Sequence, residues 1–254
     1  MTIGDDARLS RTLAHAAGLA LLDVRSGPAE GKDLKNEGDA RAQAVLAALL
    51  DYHRPGDAVL SEEAADSAAR LSAGRVWIID PLDGTREFSE RPRTDWAVHV
   101  AFWEAGELSE GAIALPARDV TYGTDDPPVL PPRAEGPIRL AVSRSRPPAF
   151  VTEVAEDLGA ELVPMGSAGV KCASVWLGEA DAYLHAGGQF EWDSAAPVAV
   201  ARAAGLHTSR IDGSPLLYNR PDPKLPDLLV CRTEFAETIL AAVARHSSQE
   251  VIAR

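Results

Sequence analysis

The stretch Val76-Trp77-Ile78-Ile79-Asp80-Pro81-Leu82-Asp83-Gly84-Thr85 constrains this chain more than any other. An apolar run of strand type ends in two carboxylates flanking a proline, followed by a glycine and a hydroxyl. Proline has a fixed φ and no backbone N–H, so the strand is expected to stop and turn at Pro81. Asp80 and Asp83 can then aim at one point, with the Leu82 carbonyl exposed between them. Three convergent oxygens suit a hard divalent cation, Mg²⁺ above all. Gly84 permits close approach of a ligand to the backbone, and the Thr85 hydroxyl can orient a water. Most Asp-Gly pairs are simply polar turns. A strand-terminated D-P-L-D-G-T is far less common, and it points to a metal site.

The 254 residues, 46% hydrophobic and 25% charged, suffice for one large domain or two intimately packed halves. A formal net charge of −13 excludes a general electrostatic attraction for nucleic acid or anionic lipid. Cys172 and Cys231 make no CxxC pair and no zinc-ligand spacing, and two cysteines in such a chain fit a reducing cytoplasm. The acidic start Met1-Thr2-Ile3-Gly4-Asp5-Asp6 lacks the basic and apolar regions of a secretory signal. No uncharged apolar run approaches the roughly 20 residues a bilayer span needs. A soluble cytoplasmic protein is expected, with no general affinity for nucleic acid or membrane.

Apolar spacing predicts a helix from about Asp5 to Val24, a polar loop over Gly31–Gly38, and a second helix capped by Asp39 and running to about His53. Short strands are expected at Asp57–Leu60 and Val76–Ile79. A meander follows at Trp96–Trp103, Leu108–Leu115 and Val120–Tyr122. Five prolines lie between Asp125 and Pro137 and mark a boundary between halves of about 1–136 and 137–254 of a single domain. Strands at Ile138–Ser143, Glu161–Met165, Asp181–His185 and Leu228–Cys231 then alternate with helices. Those helices are Pro147–Leu158, one capped by Ser167 and running to Leu177, Trp192–Ala204, and one from Glu234. Such an order implies layered α/β architecture with a mixed sheet.

Four stretches place acids at element boundaries: Glu62-Glu63 after Val59-Leu60, Asp80/Asp83, Asp193 after Glu191-Trp192, and Asp39. Each alone has an ordinary explanation as a helix-start acid or N-cap. Together they match two or three Mg²⁺ ions at a sheet end, which can clamp a phosphate and activate a water. Glu62-Glu63, Asp80 to Thr85, and Trp192-Asp193-Ser194-Ala195-Ala196 resemble, in order, the motifs of the lithium-sensitive, Mg²⁺-dependent inositol monophosphatase family. Within it, Thr85-Arg86-Glu87-Phe88, Leu60-Ser61-Glu62-Glu63, Glu191-Trp192-Asp193 and Gly213 to Asn219 are similar to the CysQ branch, which acts on 3′-phosphoadenosine 5′-phosphate.

That resemblance implies a five-layered αβαβα sandwich of the inositol monophosphatase and fructose-1,6-bisphosphatase type, commonly a homodimer. It implies that Glu62, Asp80, the Leu82 carbonyl, Asp83 and Asp193 hold two or three Mg²⁺. Gly84 and Thr85 would bind phosphate, and Thr85 with Asp39 and Glu62 would serve the metal-activated water. Asp33 to Asp39 lacks the Pro and Thr that the family usually carries there. Arg86, Ser143, Arg144 and Ser167, with Asp83 and Asp193, are the candidate substrate contacts. Arg146 follows in the same turn, and Lys171 follows Gly166-Ser167-Ala168-Gly169. His99 and His185 sit in strand patterns and read as structural. The implied reaction is conversion of 3′-phosphoadenosine 5′-phosphate and water to AMP and phosphate, as in sulfate assimilation. Inositol 1-phosphate and fructose 1,6-bisphosphate are the rival substrates. A haloacid dehalogenase-type phosphatase is disfavoured because its two acids lie two apart, and a non-catalytic metal or nucleotide sensor because every catalytic position is filled.

Overall fold

An acid placed just ahead of an apolar stripe starts the first helix. In the computed structural model, which describes residues 4–145 and 147–252, Asp5 accepts hydrogen bonds from the N–H groups of Ala7 and Arg8 at 2.9 and 3.2 Å. Those donors have no partner within the helix, so the cap stabilises the end of α1 (Asp6–Ser26). Leu9, Leu13, Ala17 and Leu21 form its buried stripe.

The second helix corrects the sequence reading. α2 spans Gly31–His53, so Gly31–Gly38 is helical rather than a loop, and Asp39 lies inside the helix rather than capping it. The cause is a stripe at every fourth position, Leu34, Gly38, Ala42, Leu46 and Leu50, all buried. Gly38 is its least conspicuous member because it packs by absence: a Cβ there would lie 2.7 Å from Phe88 Cε1.

β1 (Ala58–Ser61), β2 (Arg75–Asp83), β3 (Ala97–Glu104), β4 (Glu107–Leu115) and β5 (Val120–Gly123) form the first sheet in that order. β1 and β2 are parallel and the rest antiparallel. Successive side chains of a strand face opposite ways. Trp77 and Ile79 of β2 therefore pack with α1 and α2, while Val76 and Ile78 face the opposite core. The second sheet runs β7 (Glu161–Met165), β6 (Arg139–Ser143), β8 (Ala182–Phe190), β10 (Lys224–Cys231), β9 (His207–Ser209). β6 is parallel to β7 and β8, and β10 is antiparallel to β8 and β9.

α5 (Ala168–Trp176) and α6 (Glu191–Ala203) share one core with both sheets, and α4 (Ala149–Leu158) and α7 (Ala236–Ile252) pack on the far side of the second. The layers are therefore αβαβα, as the resemblance implied. The short helix α3 (Thr85–Ser89) starts at the turn that Gly84 and Thr85 mark, whereas strand β9 is too brief to show a period in the sequence. β10 begins earlier than expected, and its register shifts between Leu225 and Asp227, around Pro226. Among the described residues no helix is long and apolar enough to cross a membrane.

Candidate active site

β2 does not end at Pro81, as its sequence suggested; it bulges there. Asp80 pairs with His99 and Asp83 with Ala97, so Pro81 and Leu82 together stand opposite the single residue Val98. Proline has no N–H to give to the ladder, and a bulge is where a strand accommodates it. Residues three apart in a regular strand point to opposite faces. The extra residue cancels that alternation. Carboxylate oxygens of Asp80, Asp83 and Asp193, the last from α6, consequently lie within 4.8 Å of one another.

Each acid is held by its surroundings. The Asp80 Oδ1 accepts the Leu82 N–H at 3.0 Å, while its buried Oδ2 has no hydrogen-bond partner. Asp83 receives the Ala168 N–H at 3.1 Å, the Gly169 N–H at 2.7 Å and the Ser167 hydroxyl. The start of α5 thus cradles this carboxylate. His99 Nδ1 lies 3.0 Å from the Trp192 carbonyl, and its Nε2 lies 3.3 Å from Asp83 Oδ2. Asp193 accepts the Phe190 N–H at 2.7 Å, which fixes the first turn of α6. Thr85 donates its hydroxyl proton to the Leu82 carbonyl at 3.1 Å, leaving its own lone pairs to accept from a water.

The electrostatics separate these acids into two kinds. Burial, with repulsion from Glu62, Asp83 and Asp193, pushes Asp80 well above the carboxylate range. Burial and Asp83 push Asp193 up to about 7. Burial also pushes Glu62 to about 7, with the nearness of Asp80 opposing it and Asp83, Glu63 and Asp39 adding repulsion. Asp83 goes the other way: burial would raise it, but His99, Lys171 and Ser167 together hold it well below the ordinary range. Burial would lower His99, but Asp83 and the Trp192 carbonyl raise it. An unpaired buried carboxylate oxygen beside two more carboxylates is costly unless a cation neutralises it. All-oxygen donors of this kind fit Mg²⁺ chemistry.

The remaining sequence candidates take defined places. Asp39, half-buried on α2, is pushed to about 6 by burial and by Glu63, against the pull of Lys35. Gly84 adopts φ +84° as the residue before α3, and a Cβ there would meet the Asp95 carbonyl at 3.1 Å, so glycine is required. Arg86 is exposed and pairs with Glu90 at 2.9 Å. Arg144 reaches from the end of β6 to Glu87 at 2.8 Å and to Glu90, and Ser143 precedes it at that strand end. Arg146 lies outside the described residues. Ser167 has two tasks, capping α5 through the Val170 N–H at 3.0 Å and donating to Asp83. His185 contacts the Gly187 carbonyl at 2.9 Å, away from the acid cluster.

Residues 7–128 and 131–248 match the profile of the Inositol monophosphatase family. The chain belongs to that family. A Mycobacterium bovis protein named 3′-phosphoadenosine 5′-phosphate phosphatase is 52% identical over 238 residues, 90% of this chain and 89% of that protein. An Escherichia coli O157:H7 protein named 3′(2′),5′-bisphosphate nucleotidase CysQ is 31% identical over 225 residues, covering 81% of this chain and 91% of its own length. The crystal structure of CysQ from Bacteroides thetaiotaomicron matches with TM-score 0.75 at 26% identity, over 89% of this chain and 97% of that one.

The residues that support this inositol monophosphatase family site include one that the sequence does not mark, Asp95, and two in the marked stretch 166–171, Gly169 and Lys171, whose contacts only the fold reveals. Asp95 accepts the Gly166 N–H at 2.7 Å and pairs with Arg93, anchoring the turn into α5. Lys171, buried, donates to the Ser167 carbonyl at 2.6 Å and sits 5.2 Å from the Tyr183 ring centre. Gly169 leaves room for His99: a Cβ would fall 2.0 Å from His99 Nε2. Asp95 carries no flag because its sequence neighbourhood, Arg93-Thr94-Asp95, reads as an ordinary polar turn.

Proposed function

We propose that this chain hydrolyses the 3′-phosphate of 3′-phosphoadenosine 5′-phosphate, giving AMP and phosphate, with Mg²⁺ as its metal. The observation that carries the substrate is the 52% identity, over 90% of the chain, to a protein of that name. The acid cluster supports hydrolysis by a metal-dependent route, because Asp80, Asp83 and Asp193 converge and a buried oxygen of Asp80 has no hydrogen-bond partner. In this reading Glu62, Asp80, the Leu82 carbonyl, Asp83 and Asp193 hold two or three Mg²⁺. Bound there, the metal neutralises phosphate charge and lowers the pKa of water.

The chain's own groups do the rest. Asp83, kept ionised by His99 and the start of α5, supplies a fixed negative charge. Thr85 accepts a hydrogen bond from the attacking water and aims its oxygen at phosphorus, with Asp39 and Glu62 as further acceptors. The N–H groups of Gly84 and Thr85 bind phosphate oxygens where a helix start leaves donors free. Water oxygen bonds to phosphorus as the bond to the 3′ oxygen breaks, and that oxygen departs carrying a proton of the water. Arg86, Ser143, Arg144 and Ser167 line the nucleotide side. A homodimer and a cytoplasmic setting belong to the same reading and rest on the family resemblance.

The test compares kcat/KM, with Mg²⁺, on 3′-phosphoadenosine 5′-phosphate, inositol 1-phosphate and fructose 1,6-bisphosphate. A preference of about tenfold or more for the nucleotide, or about 1.4 kcal/mol in the transition state, is expected. A sugar preference would overturn the substrate, and no release from any of the three would overturn the activity.

A further inference from the structure

Residues 63–69 form an exposed stretch that follows Glu62 beyond the end of β1, and the first buried residue after it is Arg70. Arg70 is 1% exposed, an extreme position for a charge that cannot be discharged. Its guanidinium donates to Asp66 Oδ1 at 2.7 Å and Oδ2 at 3.0 Å, to Asn219 Oδ1 at 2.7 Å, and to the Arg220 carbonyl at 2.9 Å. The same segment, Asn219-Arg220, is gripped from its other side. Glu191, also 1% exposed, accepts the Asn219 N–H at 2.6 Å and the Arg220 N–H at 2.7 Å. Asn219 closes the turn with φ +58°, a conformation asparagine tolerates better than most residues.

These contacts form one chain of hydrogen bonds: Asp66, Arg70, Asn219-Arg220, Glu191. One end lies four residues beyond Glu62, and the other is the first residue of α6, two before Asp193. The two acids it joins come from elements about 130 residues apart in sequence. We propose that Arg70, with Asn219 and Glu191, is a positioning device for the cation site, setting the Glu62 loop against the Asp193 helix. The proposal rests on the reading that Glu62 and Asp193 hold the cation. It gives a purpose to Glu191 and to the Gly213–Asn219 segment, which stand out in the sequence and hydrogen-bond to one another, to Arg70 and to Ser194. A fork of planar donors makes this brace, so lysine cannot replace it.

The probe is Mg²⁺ alone, titrated calorimetrically into the full chain and into R70K and N219G. Glycine keeps the positive φ at 219 while deleting the side chain that meets Arg70. Metal-free Tm and substrate KM at saturating Mg²⁺ are measured beside it. Both variants, or N219G if R70K does not fold, should weaken the Mg²⁺ Kd tenfold or more while KM stays within twofold. A lowered metal-free Tm with a Mg²⁺ Kd within twofold of the parent would make the network a fold tie only and overturn the proposal. Absence of Mg²⁺ binding by the parent would overturn it differently, by removing the cation-site reading on which it rests.

Discussion

Stripping the cation from this protein should destabilise it more at high pH than at low. Asp193 is raised by burial from 3.8 to about 7 and Glu62 from 4.5 to about 7. Between about pH 4 and pH 7 the folded chain therefore holds protons that the unfolded chain has released. Stability must fall as pH rises through that window, because the native state binds the extra protons. For the largely buried Asp193 the shift is about 3 units, which at 1.36 kcal/mol per unit is roughly 4 kcal/mol lost by pH 8. Asp83, depressed rather than raised, works in the opposite sense, but only below the ordinary carboxylate range. In the proposed function Mg²⁺ binds these acids in their ionised form and so displaces those protons. At 100 times its Kd it adds about 2.7 kcal/mol, and for a chain of this size that is roughly 5–11 °C in Tm. If two protons must leave, apparent affinity drops by up to about 100-fold per pH unit below 7, so the gain should vanish near pH 5.5. Calorimetric melts with chelator and with Mg²⁺, at about pH 5.5 and about pH 8, read both effects. An equal Mg²⁺ gain at the two pH values, or metal-free stability that stays flat between them, would refute the reasoning.

Asp83→Asn should keep the fold but lower kcat/KM on the order of 10³-fold or more, since it removes the charge held ionised in the cradle; a loss under tenfold in steady-state kinetics contradicts its role. Gly169→Ala places a Cβ 2.0 Å from His99 Nε2 and 2.7 Å from Ile113 Cδ1, both fully buried. Overpacking of this kind costs about 1–3 kcal/mol, and an unchanged melting temperature would show that His99 has space to move. Arg144→Ala should raise KM for the 3′,5′-bisphosphate by roughly tenfold, the worth of one charge-assisted hydrogen bond, while sparing inositol 1-phosphate. Equal shifts for both substrates would assign Arg144 to its pairing with Glu87 and Glu90 instead.

How much of this was legible beforehand depends on the length scale of the signal. α1, the meander, α4, α5 and α6 each repeat their period often enough to be read. α2 was half-read because two of its five buried stripe positions are glycine and alanine, which carry little hydrophobic signal. In sequence the bulge at Pro81 is indistinguishable from a strand end, since proline removes an N–H in either case. Only the partner strand, with Val98 opposite two residues, distinguishes the two. The acids of the site were legible because they cluster in short motifs. The long-range contacts of their supports were not: Asp95 meets Gly166, His99 the Trp192 carbonyl, Gly169 His99, and Arg70 Asn219, each partner between 70 and 150 residues away.

The supports explain why a like-charged cluster survives in a buried place at all. Left to themselves, three carboxylates within 4.8 Å would separate or take up protons. Here separation is blocked at each root. A bulge fixes the backbone of Asp80 and Asp83, the start of α5 grips Asp83, and Asp193 is tied to the Phe190 N–H of its own helix start. Proton uptake is then the remaining relief, and it falls on Asp80, Asp193 and Glu62 because Asp83 is already satisfied by donors. A cation entering this frame would meet carboxylates already in place and would need only to displace protons. Little reorganisation remains for the moment of reaction, which is where preorganised charge lowers a barrier most.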